Sequence, residues 1–291
     1  MKRLPWILGL GFALVALWIW TTVLSTSVVP VARLARTTPK ETRLMVQRRA
    51  EAKRAGRSYR VDRRWVPYNA ISPLLRHAVL VAEDDAFYSH GGLDWNEIRA
   101  SAKKNLEEGR VARGGSTVTQ QLAKNLWLGT ERTPTRKLKE MVLAVRLERA
   151  LTKQRILELY LNLIEWGEGI YGAEAAAQRY FGVSASRRDA RQAVLLASVI
   201  INPLRYSPLH PSRRIEHRAQ LIASRMRKHG YLDEDQYALA VGKAPPHRGL
   251  LDWLFGPPAS PPTPEPENET PTDSLGLDDS VFEEDSAAVG P

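Results

Sequence analysis

Hydrophobic and polar positions divide this chain into stretches of different character. Pro5 to Val29 holds no charged side chain, and roughly 25 residues is long enough for a helix to cross a ~30 Å hydrocarbon core. Trp6 lies near one end of the run and Trp18 and Trp20 lie towards the other, as amphipathic rings at an interface do. Lys2 and Arg3 precede it, favouring a cytoplasmic segment 1–4, while Arg33, Arg36, Lys40 and Arg43 after it oppose that bias. A cleaved signal peptide has an apolar region of only ~7–15 residues. The longer run here predicts an uncleaved transmembrane anchor over 5–29.

Residues 30–66 read as a basic juxtamembrane segment: a short helix through Leu44, Met45 and Gln47 to Ala55, then an extended stretch near Ser58 to Val66. Some of its cations are placed to rest on lipid headgroups. From Ser72 to about Tyr237, apolar residues recur at spacings of three and four, a helical period. No repeat is visible and no other run alternates as a strand does. After Trp253-Leu-Phe, Pro, Glu, Asp, Ser and Thr take over, so residues 257–291 are expected to be disordered. The prediction is a mainly α domain over 67–245, followed by an acidic, Pro-rich tail over 246–291.

Composition changes this picture mainly through charge. The chain carries 42 Lys and Arg against 32 Asp and Glu, a formal net charge of +10. Nine of the acids and none of the cations lie beyond residue 257, so the body carries +19 and the tail −9. So basic a body suits an anionic partner such as a phospholipid surface, a phosphorylated substrate or nucleic acid. The absence of cysteine excludes disulfides, thiolate metal sites and a cysteine nucleophile.

Four segments carry candidate chemistry. In the first, Ser72-Pro73 predicts a helix start with the serine as cap. The helix buries Leu75, Ala78, Val79 and Ala82, then meets Glu83, Asp84 and Asp85 in a row. Acids at a helix C-terminus face the negative end of the dipole and cost up to about 1 kcal/mol each. Stability alone does not choose them, although a solvated turn is the plain alternative. His90, before Gly91-Gly92, reads as a structural turn residue. The second runs from Arg113 to Asn125. Gly114 and Gly115 feed a helix start whose open N–H groups can meet an anionic or sugar oxygen. Thr117 with Gln120 fits a capping box, and Gln120, Gln121 and Lys124 share one side of the helix. Amides beside an ammonium can read hydroxyls and phosphate together, although a capped surface helix would look the same.

In the third, Thr133-Pro134 again predicts a capped start. Leu138, Met141, Val142 and Val145 form one apolar stripe, and Glu140 falls within a second one with Leu143, Ala144 and Leu147. A half-buried carboxylate needs nearby cations to offset its desolvation. Arg136 at i−4 supplies one, and Arg132, Lys137 and Lys139 crowd the same turn. The fourth, Thr152 to Gly167 and on through Gly182, has the spacing of packed core helices around a glycine-rich turn, a structural reading that includes Glu158 and Tyr160.

Together these segments resemble the family-51 glycosyltransferases, the peptidoglycan glycosyltransferases of bacterial cell-wall synthesis, over roughly residues 65–240. The likeness rests on Glu-Asp-x-x-Phe-x-x-His-x-Gly at 83–92, Gly-x-Ser-Thr-x-x-Gln-Gln-x-x-Lys-Asn at 114–125, Arg-Lys-x-x-Glu at 136–140 and Ile-Leu-Glu-x-Tyr-Leu-Asn at 156–162. Asn202-Pro-Leu-Arg-Tyr206 is most similar to the monofunctional biosynthetic branch of Gram-negative bacteria. The resemblance implies a lysozyme-like, two-lobed helical domain with a groove. It further implies polymerisation of lipid II into β-1,4-linked strands with release of polyprenyl pyrophosphate. It gives Glu83 the role of general base towards the acceptor 4-hydroxyl. It places Asp84, Ser116, Gln120, Gln121, Lys124, Arg132, Arg136, Lys137 and Lys139 at the substrate. Glu140 matches the second catalytic glutamate with its job open: to orient cations, to assist departure, or to hold Mg2+ or another divalent cation on the pyrophosphate. No other cofactor is implied.

The implied partners are lipid II, the growing glycan strand, membrane lipids, and proteins of cell-wall synthesis or division, with no nucleic acid. The implied location is the bacterial inner membrane, crossed once, with the catalytic domain in the periplasm. Two alternatives use the same residues differently. A lysozyme-like hydrolase also employs two carboxylates, but gives the cations around Arg132 and Lys139 no leaving pyrophosphate to meet. A membrane-tethered basic binding module has no use for Glu83 or Glu140.

Overall fold

The computed structural model describes residues 4–108, 115–187 and 189–243. Arg113, Gly114 and the acidic tail expected over 246–291 lie outside the described residues. Within them the chain is mainly helical, as its apolar spacing predicts. The uncharged run forms α1, Leu4–Ser27, of which Gly9–Ser27 is long and apolar enough to cross a membrane.

The segment expected as a juxtamembrane connector is packed into the body. A 3-10 turn, Val31–Ala35, buries Val31 and Leu34 in the main core. Helix α2, Arg43–Arg54, is capped by the Thr42 side chain and buries Leu44 and Met45 beside Tyr171 in a second, smaller cluster. Arg48 grips the buried Glu165 through Nε and Nη2, each 3.0 Å from Oε2. Burial holds the Glu165 carboxyl above its ordinary range, with Arg48 opposing that push.

Among the described residues nine further α-helices follow: α3 Pro73–Glu83, α4 Trp95–Glu108, α5 Val118–Ala123, α6 Pro134–Ala150, α7 Lys153–Leu163, α8 Ala173–Phe181, α9 Ala190–Val199, α10 Arg213–Lys228 and α11 Glu234–Ala240. They sort into two groups by packing. Helix α9 gathers α3, α10 and α11, and α3 also packs on α10. Helix α5 packs between α6 and α7. Leu75, Val79, Leu122, Leu143, Leu147 and Ile156 meet in one core across both groups, each fully buried side chain stabilising by about 1.5–3 kcal/mol.

Three short strands were only partly foreseeable. The extended stretch yields β1, Asp62–Arg63, and a hairpin contributes β2, Glu165–Gly167, and β3, Ile170–Tyr171. The order is β1-β3-β2, with β1 parallel and β2 antiparallel to β3. Gly169 in the hairpin has φ +73°, and a side chain there would strike the Arg60 carbonyl. The segment that follows β1 is pinned to α7 by Asn162, which is fully buried. Its Oδ1 accepts from Val66 N (2.9 Å), while Nδ2 donates to Val66 O (2.9 Å) and Glu158 O (2.8 Å).

Two local expectations meet different outcomes. Thr133 caps α6 by accepting from Arg136 N, with Pro134 in the first turn. Ser72 precedes Pro73 as expected, but its hydroxyl makes no capping bond. Its backbone N–H is instead drawn to Ala185 O at 2.9 Å, which docks the start of α3 onto the α8–α9 connection.

Helix α1 lies along α6 in the same direction. Trp18 Nε1 donates to Thr135 Oγ1 (3.1 Å), and Arg146 donates to the carbonyls of Thr26, Ser27 (3.3 Å) and Val29 (2.9 Å). The guanidinium thus satisfies carbonyls that the end of α1 leaves open, at the helix pole that attracts cations. Replacing Asn162 with Ala orphans both polar groups of Val66. The expected result is a loss of ~2–4 kcal/mol in unfolding free energy by denaturant titration. A loss below ~0.5 kcal/mol, the range of ordinary surface changes, would contradict the pinning role.

Candidate active site

Glu83 closes α3 at the junction of the two helix groups. Only a tenth of its side chain is exposed, so an ionised carboxylate here needs partners. Arg218 Nη2, from α10, donates to Oε1 at 2.9 Å, and Gln121 Nε2, from α5, donates to Oε2 at 2.9 Å. Arg218 also donates to Ala82 O at 3.1 Å. One cation therefore answers both the acid and an open carbonyl at the helix end, offsetting the dipole cost of placing an acid there. Arg218 is not among the residues expected at the site. Its signal lies in α10, where an arginine occupies the buried stripe of Ile215, Ala219, Ile222 and Met226.

Asp84 turns the other way. Its Oδ1 receives His90 Nε2 at 2.9 Å and its Oδ2 receives Val118 N at 2.9 Å. Gly92 N donates to His90 Nδ1 at 3.1 Å, so the imidazole proton sits on Nε2 and points at Asp84. The buried Asp84, expected at the substrate, ties the α3 end to the start of α5. His90 takes the structural place that its sequence context suggests.

Helix α5 carries the capping box. Thr117 Oγ1 accepts from Gln120 N (3.2 Å), and Gln120 Oε1 accepts from Thr117 N (3.0 Å). Gln120 is consequently buried inside its own cap rather than free to read a sugar. Gln121, one residue on, faces the other way and reaches Glu83. Tyr160, fully buried on α7, donates to Gln121 Oε1 at 2.9 Å. Its placement in the site goes beyond the structural reading its apolar neighbours support. Burial, followed by the charges of Glu83 and Asp84, holds its phenol well above the ordinary range.

Past Ala123 the helix widens into a π turn, Lys124–Leu128, a deviation that recurs at functional sites. Lys124 begins it. Burial lowers the pKa of its ammonium, while the charges of Glu140 and Glu83 raise it. This cation feels both carboxylates, yet hydrogen-bonds to neither among the described residues.

Glu140 is buried on α6. Arg136 Nη1 donates to its Oε2, and Lys137 Nζ donates to Oε1 at 2.6 Å and to Ser116 Oγ at 2.8 Å. The expected Arg136–Glu140 pair is present, joined by Lys137 and Ser116. Arg132 is exposed before α6 and Lys139 is half-buried. Neither forms an ion pair among the described residues. Among those residues no group of three or more His, Asp or Glu side chains is placed to hold a metal ion. Both Glu140 oxygens face cations, so this donor set does not fit a protein-held divalent ion.

Residues 50–227 match the family model described as Transglycosylase. The chain is 43% identical over 188 residues to a protein of Laribacter hongkongensis described as a biosynthetic peptidoglycan transglycosylase, covering 65% of this chain and 82% of that protein. A protein of the same description from Methylobacillus flagellatus is 49% identical over 163 residues, 56% of this chain and 71% of its own length. Another, from Aromatoleum aromaticum, is 43% identical over 215 residues, 74% and 90% of the two chains.

Asparagine at position 84 would retain one acceptor and turn its amide hydrogens on either the His90 or the Val118 donor. Asp84→Asn is expected to cost ~1–3 kcal/mol in a denaturant titration. The Michaelis constant should stay within about two-fold. A large rise in that constant with unchanged stability would return Asp84 to the substrate.

Proposed function

The chain belongs to the transglycosylase family, and on that premise we propose how its carboxylates and cations divide the work of building a glycan strand. The domain is a mostly helical, lysozyme-like fold, and the enzyme is a peptidoglycan glycosyltransferase that polymerises lipid II into β-1,4-linked strands. The acceptor 4-hydroxyl must lose a proton as its oxygen attacks the anomeric carbon of the growing strand. The bond from that carbon to the pyrophosphate oxygen breaks on the opposite face, inverting the centre. The electron pair leaves with the polyprenyl pyrophosphate.

Glu83 takes the proton. Arg218 and Gln121 both donate to it, which favours the ionised form that a base requires and fixes where its oxygens lie. An acceptor hydroxyl approaching Oε2 competes with the single amide bond from Gln121, so little must be displaced to start the transfer.

The leaving pyrophosphate needs cations that pre-exist in place. Lys124 is the observation that carries this reading: one ammonium in the field of both Glu83 and Glu140, with neither carboxylate as a hydrogen-bond partner. It supports reading Glu83 and the cation cluster as parts of one site. Glu140 orients Arg136 and Lys137, and Ser116 steadies Lys137. Arg132 and Lys139, free of ion pairs among the described residues, extend the positive surface towards the second phosphate.

Helix α1 crosses the bacterial cytoplasmic membrane once, with the catalytic domain on its periplasmic face. Its parallel packing on α6 supports a site at lipid level. The basic surface reinforces contact with anionic lipid.

Glu83→Gln keeps the size and loses the basicity. Its rate of strand growth from lipid II should fall ~10²–10⁴-fold with the fold unchanged. Near-normal polymerisation by that variant would sink the assignment of the base.

A further inference from the structure

Building on the reading of Glu83 as the base, we propose that Tyr160 is a positioning residue that locks the Gln121 amide in the one orientation that serves an ionised Glu83. The amide stands between two groups. Its Nε2 is 2.9 Å from Glu83 Oε2, and its Oε1 accepts from the Tyr160 hydroxyl at 2.9 Å. The two ends of a carboxamide are alike in size and opposite in hydrogen-bonding character. With NH2 towards Glu83, the amide stabilises the carboxylate. With the carbonyl towards Glu83, it would accept from a carboxylic O–H and stabilise the protonated acid instead.

A base visits both states in each turnover, so an amide free to turn would follow the proton and hold it. Tyr160 prevents this. Its hydroxyl is fully buried and uses Gln121 Oε1 as the acceptor for its hydrogen. If the amide turned over, its NH2 would meet the phenol oxygen and the buried hydroxyl hydrogen would lose that acceptor, which is costly. Because its phenol is held far above its ordinary range, Tyr160 remains a donor throughout the working pH range. Among the described residues the charged groups near Glu83 are Arg218 from α10, which donates to it, and Lys124 at the end of α5, while Asp84 beside it in the chain turns away to His90 and Val118. None of them hydrogen-bonds to the Gln121 amide among the described residues, so apart from Glu83 itself the group that fixes its orientation is the Tyr160 hydroxyl.

Phenylalanine at position 160 preserves the packing and makes the two amide orientations nearly equal, since each leaves one end of the amide facing the ring. Gln121 then stabilises both protonation states of Glu83, and the proton is held to higher pH. The test uses the full chain with 13C-carboxyl-labelled glutamate, the Glu83 signal being identified by its loss in Glu83→Gln. In Tyr160→Phe the pH at which that signal titrates should rise by about one unit relative to the unsubstituted chain. The acid limb of the polymerisation rate should rise with it. An unchanged titration overturns the proposal. A titration that rises while the acid limb stays in place supports the locking role and removes Glu83 as the base, so the two failures are distinguishable. In a Gln121→Met background the further change Tyr160→Phe should leave the Glu83 titration unmoved. A shift that persists there also overturns the proposal, because the effect would not pass through the amide.

Discussion

The pairing of Glu83 with Arg218 is the contact on which the rest of the site depends. A carboxylate with a tenth of its surface exposed is tolerable only if its charge is met on the spot. The partner comes from a helix 135 residues further along the chain. The same guanidinium takes the Ala82 carbonyl, so the end of α3 cannot form as it does unless α10 is docked. Gln121 and Tyr160 add α5 and α7 to the node. Four helices from both packed groups therefore converge on one acid, where the two groups meet.

The second half of the site obeys a different economy. Glu140, Arg136 and Lys137 lie within two turns of one helix, and a single element sets their mutual geometry. What must be fixed from outside is the position of that helix. The cap at Thr133 sets its start, Leu143 and Leu147 bury its inner stripe, and Arg146 ties it to the end of α1. Helix α1 is thus built into the folded body. It shares a guanidinium and an indole contact with the helix that carries the cations, so α1 and α6 are held together.

This division explains what the sequence disclosed. The capping box of Thr117 and Gln120, the Thr133-Pro134 start and the Arg136–Glu140 pair are local patterns of three or four residues, and each appears as its spacing predicts. Arg218 and Tyr160 act across long separations, and only a charge in an apolar stripe hinted at the first. The strands of the small sheet are two or three residues long, too short for alternation to show. The π turn at Lys124 has no hydrophobic period of its own. Asp84 and Gln120 lie in motifs that resemblance places at the substrate, yet their hydrogen bonds fix the scaffold around Glu83 and Gln121. A motif carries residues that hold the site as well as residues that touch the ligand, and spacing alone does not separate them.

Direct measurement of the overall reaction tests the account at its centre. The purified full chain is incubated with lipid II, and in parallel with preformed glycan strands, while polymer length and free polyprenyl pyrophosphate are followed together. Strand growth is expected with one polyprenyl pyrophosphate released for each disaccharide joined, and no change in the preformed strands. Shortening of those strands without pyrophosphate release would contradict it, because the cations around Glu140 would then have no leaving group to meet.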